Sequence, residues 1–306
     1  MRVLDSAIVR LLPAVPRPVV RRLSSRYIAG PTLADARRTV AALNAAGKLA
    51  TVDVLGEEIR RPEEAEAIAQ AYLDVLAAIE TDALAANVSV KLTGLGLKLD
   101  LGLCRSNLEA VVRDAAARDT FVRIDMEDSS TTDDTLRLYR ELREGGVDNV
   151  GIVLQASLRR TVADVQALAD LRPSVRLCKG IYLEPESIAF TEFEAVRANF
   201  VAALDALLAV GCYVGVATHD EWLIQESLRR LDGLGPEEYE LQMLLGVREA
   251  RASELVAAGH RLRVYVPFGQ RWYEYSLRRL QENPKIAGYV AGDVLGRLVP
   301  GRRTGS

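Results

Sequence analysis

The chain has 306 residues, 49% of them hydrophobic and 26% charged, with a formal net charge of -3. That composition belongs to a folded globular chain, and the missing basic excess argues against a nucleic-acid binder. Cys104, Cys178 and Cys212 are too few and too scattered for a disulfide framework or a zinc site. No apolar run is long enough to span a membrane and nothing at the N-terminus reads as a secretory signal, so a cytoplasmic setting is expected.

In chain order, residues 1–46 read as a helical segment packed on whatever follows. Its first part sets Arg2, Arg10, Arg17, Arg21, Arg22 and Arg26 among Leu4, Ile8, Leu11, Leu12, Val19, Val20 and Leu23, opposed only by Asp5. A basic amphipathic stretch of this kind suits either a solvated helix or an anionic membrane surface, which would make the protein peripheral at the inner face of the membrane. Thr32 is placed to cap a helix running to Ala46, with Gly47 as its stop. From residue 47 short β-like runs alternate with helical ones. The expected strands are 49–55, 88–93, 121–127, 150–156, 175–181, 213–219, 239–245 and 263–268. The expected helices are 62–85, 107–117, 132–144, 162–171, 192–210, 221–230 and 247–258, with a further helix after the eighth strand. Repeated strand–helix units require parallel strands with crossover helices, and eight in succession favour a closed (βα)8 barrel over an open sheet. The barrel is expected to occupy residues 47–296, with 297–306 a loose tail.

Side chains alternate between the two faces of a strand. Val88, Val90 and Leu92 therefore oppose Ser89 and Lys91, while Val122, Ile124 and Met126 oppose Arg123, Asp125 and Glu127. On the later strands, Leu241, Met243 and Leu245 oppose Gln242 and Leu244, and Val264 and Val266 oppose Arg263 and Tyr265. The apolar parity fits the helix layer, so the polar parity must face the barrel interior. Charged groups there are costly unless paired or used. Polar residues gather toward the strand C-termini: Glu57, Lys91, Asp125, Glu127, Gln155, Arg176, Lys179, Thr218, His219, Gln242 and Tyr265. In a (βα)8 barrel that end carries the active site. Taken singly, each has a plainer reading, such as Asp125 neutralising Arg123 or Lys91, or His219 as a structural histidine.

Several chemistries are absent. Gly94-Leu-Gly96 follows a strand, but Leu99 stands where a dinucleotide fingerprint needs its third glycine. There is no Walker A loop, no H-E-x-x-H and no G-x-S-x-G, and with only His219 and His260 a histidine-rich metal site is not expected. After the last strand, Tyr265 and the adjacent Arg278 and Arg279 describe an aromatic wall beside a double guanidinium, which suits a small carboxylate. A solvated Arg-Arg pair is the plainer alternative. A cationic, aromatic mouth without a metal or a hydrolytic nucleophile suits redox chemistry on a bound cofactor, whose identity physics alone leaves open.

On its motifs the chain resembles the monofunctional bacterial proline dehydrogenases. The blocks that carry the resemblance are Val52-Asp-Val-Leu-Gly-Glu57, Ser89-Val-Lys-Leu-Thr93, Arg123-Ile-Asp-Met-Glu127 and Gly151-Ile-Val-Leu-Gln155. They continue through Val175-Arg-Leu-Cys-Lys-Gly-Ile-Tyr182, Ala217-Thr-His219, Glu240-Leu-Gln-Met-Leu244, Arg263-Val-Tyr-Val-Pro-Phe-Gly269 and Tyr275-Ser-Leu-Arg-Arg-Leu-Gln-Glu-Asn283. The resemblance implies FAD-dependent oxidation of L-proline to Δ1-pyrroline-5-carboxylate, with hydride passing to flavin N5 and electrons onward to a quinone. It implies that Lys91, Arg278 and Arg279 hold the proline carboxylate and that Tyr265, Leu244 and Tyr182 enclose the ring. Asp125 would orient the cations, with Arg176 near flavin N5 and Gln155 on the isoalloxazine. Met126, Lys179, Gly180, Ile181, Thr218 and His219 would line the rest of the FAD site, and Glu57 and Glu282 would steady the arginines. Leu183 departs from the pattern, since relatives often carry tryptophan there. A pyrroline-5-carboxylate dehydrogenase would act as a separate downstream enzyme. Another flavin barrel of the methylenetetrahydrofolate reductase kind, or a barrel that binds without catalysis, are the competing readings.

Overall fold

The computed structural model describes residues 26–56, 59–273 and 276. Eight parallel strands close into a barrel in sequential order. In chain order the elements are α1 (Leu33–Ala45), β1 (Leu49–Val54), α2 (Pro62–Thr81), β2 (Ala86–Val90), α3 (Leu101–Ala117), β3 (Val122–Ile124) and α4 (Thr132–Glu144). They continue as β4 (Val150–Gln155), α5 (Thr161–Ala167), β5 (Val175–Cys178), α6 (Phe193–Ala209), β6 (Val214–Ala217), α7 (Glu221–Arg230), β7 (Tyr239–Leu244), α8 (Glu249–Ala257) and β8 (Leu262–Phe268). The (βα)8 expectation is thus met, and the match to α4 and α7 is residue for residue.

Local chemistry accounts for the boundaries. Thr32 caps α1 through a reciprocal box with Asp35, and Gly47 leaves the helix at φ +72. Asp100 accepts from Leu103 N at 2.7 Å and starts α3 six residues before the expected 107. The expected helix 162–171 divides into α5 and a short 3-10 turn, Ala169–Leu171, ended by Arg172 at φ 42. Strands β2, β3 and β5 stop at Val90, Ile124 and Cys178, short of the expected 93, 127 and 181. Beyond these points the chain leaves the ladder to shape the barrel mouth; after β2 it turns at once, with Leu95 N donating to Lys91 O at 3.2 Å.

The apolar parity packs outward. Val88, Val90, Val122, Ile124, Val214 and Val266 are buried between strands and helices in one continuous core. Helix α1 packs against β8 and β1, the seam where the barrel closes, with Ala36 and Val40 buried there. The inward parity is polar, as the alternation requires. Two inward positions are glycine because a neighbouring side chain crosses them: a Cβ on Gly151 would lie 2.3 Å from Arg123 Nη1, and one on Gly215 would lie 2.4 Å from Gln242 Nε2. Among the described residues no helix is long and apolar enough to cross a membrane.

Candidate active site

Asp125 sits just past the end of β3 and gathers the cluster at the barrel mouth. Its Oδ1 accepts from Arg176 Nη1 at 2.6 Å and from Ser89 Oγ at 2.6 Å. Its Oδ2 accepts from the Tyr265 hydroxyl at 2.8 Å and lies 3.4 Å from Lys91 Nζ. Lys91 in turn donates to Asp53 Oδ1 at 2.9 Å and to the Tyr265 oxygen at 3.0 Å. Two carboxylates therefore balance two cations around one tyrosine. Burial alone would raise the Asp125 carboxyl, but Arg176 and Lys91, helped by hydrogen bonds from Ser89 and Tyr265, hold it below the usual carboxylate range. Burial, reinforced by Asp125 and Asp53, pushes the Tyr265 phenol well above its ordinary value, so it remains a donor.

The cluster forms one wall of a cavity of about 650 Å³. Every expected site residue within the described region lines it: Lys91, Asp125, Met126, Gln155, Arg176, Lys179, Gly180, Ile181, Tyr182, Thr218, His219, Leu244 and Tyr265. Gly180 is held at φ +95 under Ser157 and Gln155, where a Cβ would fall 2.3 Å from Ser157 Oγ. Gln155 donates from Nε2 to Glu127 O at 2.8 Å, which leaves its Oε1 as the free-facing acceptor. His219 Nε2 accepts from Leu244 N at 3.0 Å, so the ring carries its proton on Nδ1 and the contact ties β7 to the loop after β6.

A second cationic group stands on another part of the wall. Lys179 and Arg197 share Asp220, at 3.0 Å and 2.7 Å, and both cations lie over the Phe193 ring. Burial would raise the Asp220 carboxyl, but hydrogen bonds from Arg197 and Lys179 depress it strongly. Asp53, Phe193, Arg197 and Asp220 were missed by the sequence reading. Asp220 could have been found, since it directly follows Thr218-His219 and caps α7; Arg197 lies mid-helix and carries no such signal.

Two members of the polar parity fall elsewhere. Arg123 turns away from Asp125 and donates to the carbonyls of Ile152 and Ser174, so it does not neutralise Asp125. Glu127 binds the Thr93 amide at 3.0 Å and the Thr93 hydroxyl, securing the turn after β2 instead of lining the cavity. Leu183, where tryptophan was the expected residue of relatives, is fully exposed. Glu57, Arg278, Arg279, Glu282 and the basic stretch before residue 26 lie outside the described residues.

The family described as proline dehydrogenase matches residues 36–291. The chain belongs to the proline dehydrogenase family. It is 37% identical over 272 residues to proline dehydrogenase 1 of Bacillus subtilis subsp. natto, covering 88% of this chain and 90% of that one. It is 36% identical over 281 residues to the proline dehydrogenase of Deinococcus radiodurans, covering 89% of this chain and 90% of that one. Among solved structures it resembles proline utilization A (PutA) from Bdellovibrio bacteriovorus inactivated by N-propargylglycine, with a TM-score of 0.79 and 24% identity over 90% of this chain. This chain spans 34% of that much longer one, and the likeness speaks to the barrel fold of the family.

Proposed function

We propose that this proline dehydrogenase family member oxidises L-proline to Δ1-pyrroline-5-carboxylate in a catalytic unit spanning residues 47–296. The observation that carries the reading is Asp125 holding Arg176, Lys91 and Tyr265 together on the wall of a 650 Å³ cavity, a size suited to a cofactor and a small substrate side by side. The lining fits FAD. Gln155 offers an acceptor to an imide N–H, Arg176 a fixed cation, and the Lys179–Arg197–Phe193 group a cationic and aromatic surface for a diphosphate and a base. Bound there, FAD would supply the hydride acceptor, N5, and a quinone would be the onward electron acceptor.

The chain's own residues place and polarise. Lys91, with Arg278 and Arg279, holds the proline carboxylate, and the cationic surroundings favour loss of the amine proton, leaving the nitrogen lone pair free to assist hydride departure from C5. Tyr265, Tyr182 and Leu244 enclose the ring. Asp125 fixes the Lys91 ammonium and the Arg176 guanidinium in advance of binding, so that neither reorganises during reaction. Arg176 favours negative charge developing beside it. Met126, Gly180, Ile181, Thr218 and His219 line the remainder of the FAD site. The product would be consumed by a separate pyrroline-5-carboxylate dehydrogenase, and delivery to a quinone would draw the basic N-terminal stretch to a membrane surface.

The test is direct. The purified protein should be yellow and should bleach when L-proline is added under anaerobic conditions. A protein that gains no flavin on reconstitution, or a flavin that proline leaves oxidised, overturns the reading.

A further inference from the structure

Below the mouth lies another buried carboxylate, one that does not line the cavity. Glu240, on β7, is 2% exposed. Its Oε1 accepts from Arg263 Nε at 2.8 Å and from Gln242 Nε2 at 2.5 Å. The other end of the same Gln242 amide, Oε1, accepts from Arg176 Nε at 2.5 Å. Asp125 and Ser89 hold Arg176 Nη1. The guanidinium is thus gripped at Nε from β7 and at Nη1 from β2 and the end of β3, and among the described residues its Nη2 donates no protein hydrogen bond.

Donor and acceptor chemistry gives this chain a direction. A carboxylate only accepts and an arginine Nε only donates, so an amide between them has one orientation. Its NH2 must face Glu240 and its oxygen must face Arg176. Burial would raise the Glu240 carboxyl, but Arg263 and Gln242 hold it below its ordinary range, so it stays an acceptor. Room for the amide to cross the barrel comes from Gly215, where a Cβ would lie 2.4 Å from Gln242 Nε2 and 2.9 Å from its Cδ. We propose that Glu240, acting through Gln242, is a positioning residue for Arg176: it sets the direction of the amide and thereby the orientation of the guanidinium at the mouth.

The plainer role for Glu240 is to neutralise Arg263, and the two roles separate cleanly. In Glu240→Gln the side chain at 240 can also donate, so the Gln242 amide can reverse and set its NH2 against Arg176 N–H. The inference rests on the reading that Arg176 faces the flavin. In the holoenzyme, Glu240→Gln is expected to lower kcat for proline by roughly tenfold or more with little change in KM, and to make the flavin midpoint potential more negative. Gln242→Leu, which leaves the Glu240–Arg263 pair intact, should reproduce both changes even where Glu240→Gln folds poorly. In an Arg176→Ala background neither substitution should cost anything more, because the group they position is gone. Losses that add fully to that of Arg176→Ala, or that appear only in thermal unfolding, overturn the inference.

A separate readout needs no flavin. In the flavin-free protein the Arg176 Nε–H proton should exchange slowly by NMR and faster in both Gln242→Leu and Glu240→Gln; exchange in Glu240→Gln equal to that of the unsubstituted protein overturns the inference. A wild-type flavin that proline does not reduce would sink the proposed activity, while the exchange measurement would still decide the role of Glu240.

Discussion

Asp125 joins four polar partners because its two oxygens face in different directions. Oδ1 serves Arg176 and Ser89, and Oδ2 serves Tyr265 and Lys91. Removing this charge leaves Arg176 buried without its carboxylate and Lys91 paired with Asp53 but no longer with Asp125, and truncating one partner of a buried charge pair typically costs about 2–5 kcal/mol. Asp125→Asn should therefore lower kcat for proline strongly while FAD remains bound, read by steady-state rates beside the visible spectrum. Full activity would reassign Asp125 to a structural role. Arg278→Met and Arg279→Met test the carboxylate clamp. Each should raise KM for proline, with a loss on the same scale of about 2–5 kcal/mol in kcat/KM, and leave FAD affinity unchanged. Equal loss of both affinities would contradict the assignment.

At the level of the element, the barrel works because helices pack on one strand parity and the polar interior is built on the other. At two places the interior admits a long side chain because the neighbouring strand offers no Cβ. Gly151 on β4 is such a place: a methyl there would meet Arg123 Nη1 at 2.3 Å and the Ser174 carbonyl at 2.6 Å. The carbonyl belongs to backbone and cannot swing aside as a side chain can. Gly151→Ala is expected to destabilise the fold by about 1–3 kcal/mol, the usual cost of overpacking, measured by urea unfolding. An unchanged midpoint would show that β4 and β5 separate freely. Flavin binding should survive, since Arg123 faces away from the cavity.

For the whole molecule the buried carboxylates set the response to acid. Asp125, Asp220 and Glu240 each have a folded-state pKa below the ordinary value, because cations and hydrogen bonds outweigh the raising effect of burial. A depressed acid binds its proton more readily in the unfolded chain. Its stabilising contribution is therefore fully present above roughly pH 5 and is lost as pH falls through about 4 and below. Asp164 runs the other way, its burial outweighing Arg160 and raising its pKa, so it offsets only part of this effect. Thermal unfolding followed from pH 7 to pH 3 should show a plateau and then a steep fall below about pH 4. A flat profile would mean that the three carboxyls bind protons equally well in the folded and unfolded chain.

The repeating strand–helix pattern was legible in the sequence because it rests on neighbours: alternation within a strand, caps such as Thr32, stops such as Gly47. That was enough to name the barrel, to turn Ser89, Lys91, Asp125, Gln242 and Tyr265 inward, and to mark the mouth as the site. The parity rule failed where reach, not direction, decided the outcome. Arg123 and Glu127 share the inward parity of Asp125, yet one spans to the carbonyls of Ile152 and Ser174 and the other folds back to Thr93. Partnership was likewise invisible. Lys91 and Tyr265 lie 174 residues apart, and Arg176 and Gln242 lie 66 apart. Those pairs exist because closing the barrel brings β1 beside β8 and stacks the inward positions of separate strands at one height. Residue type and strand parity are local and can be read along the chain; which charge meets which depends on register across strands, and only the closed sheet sets it.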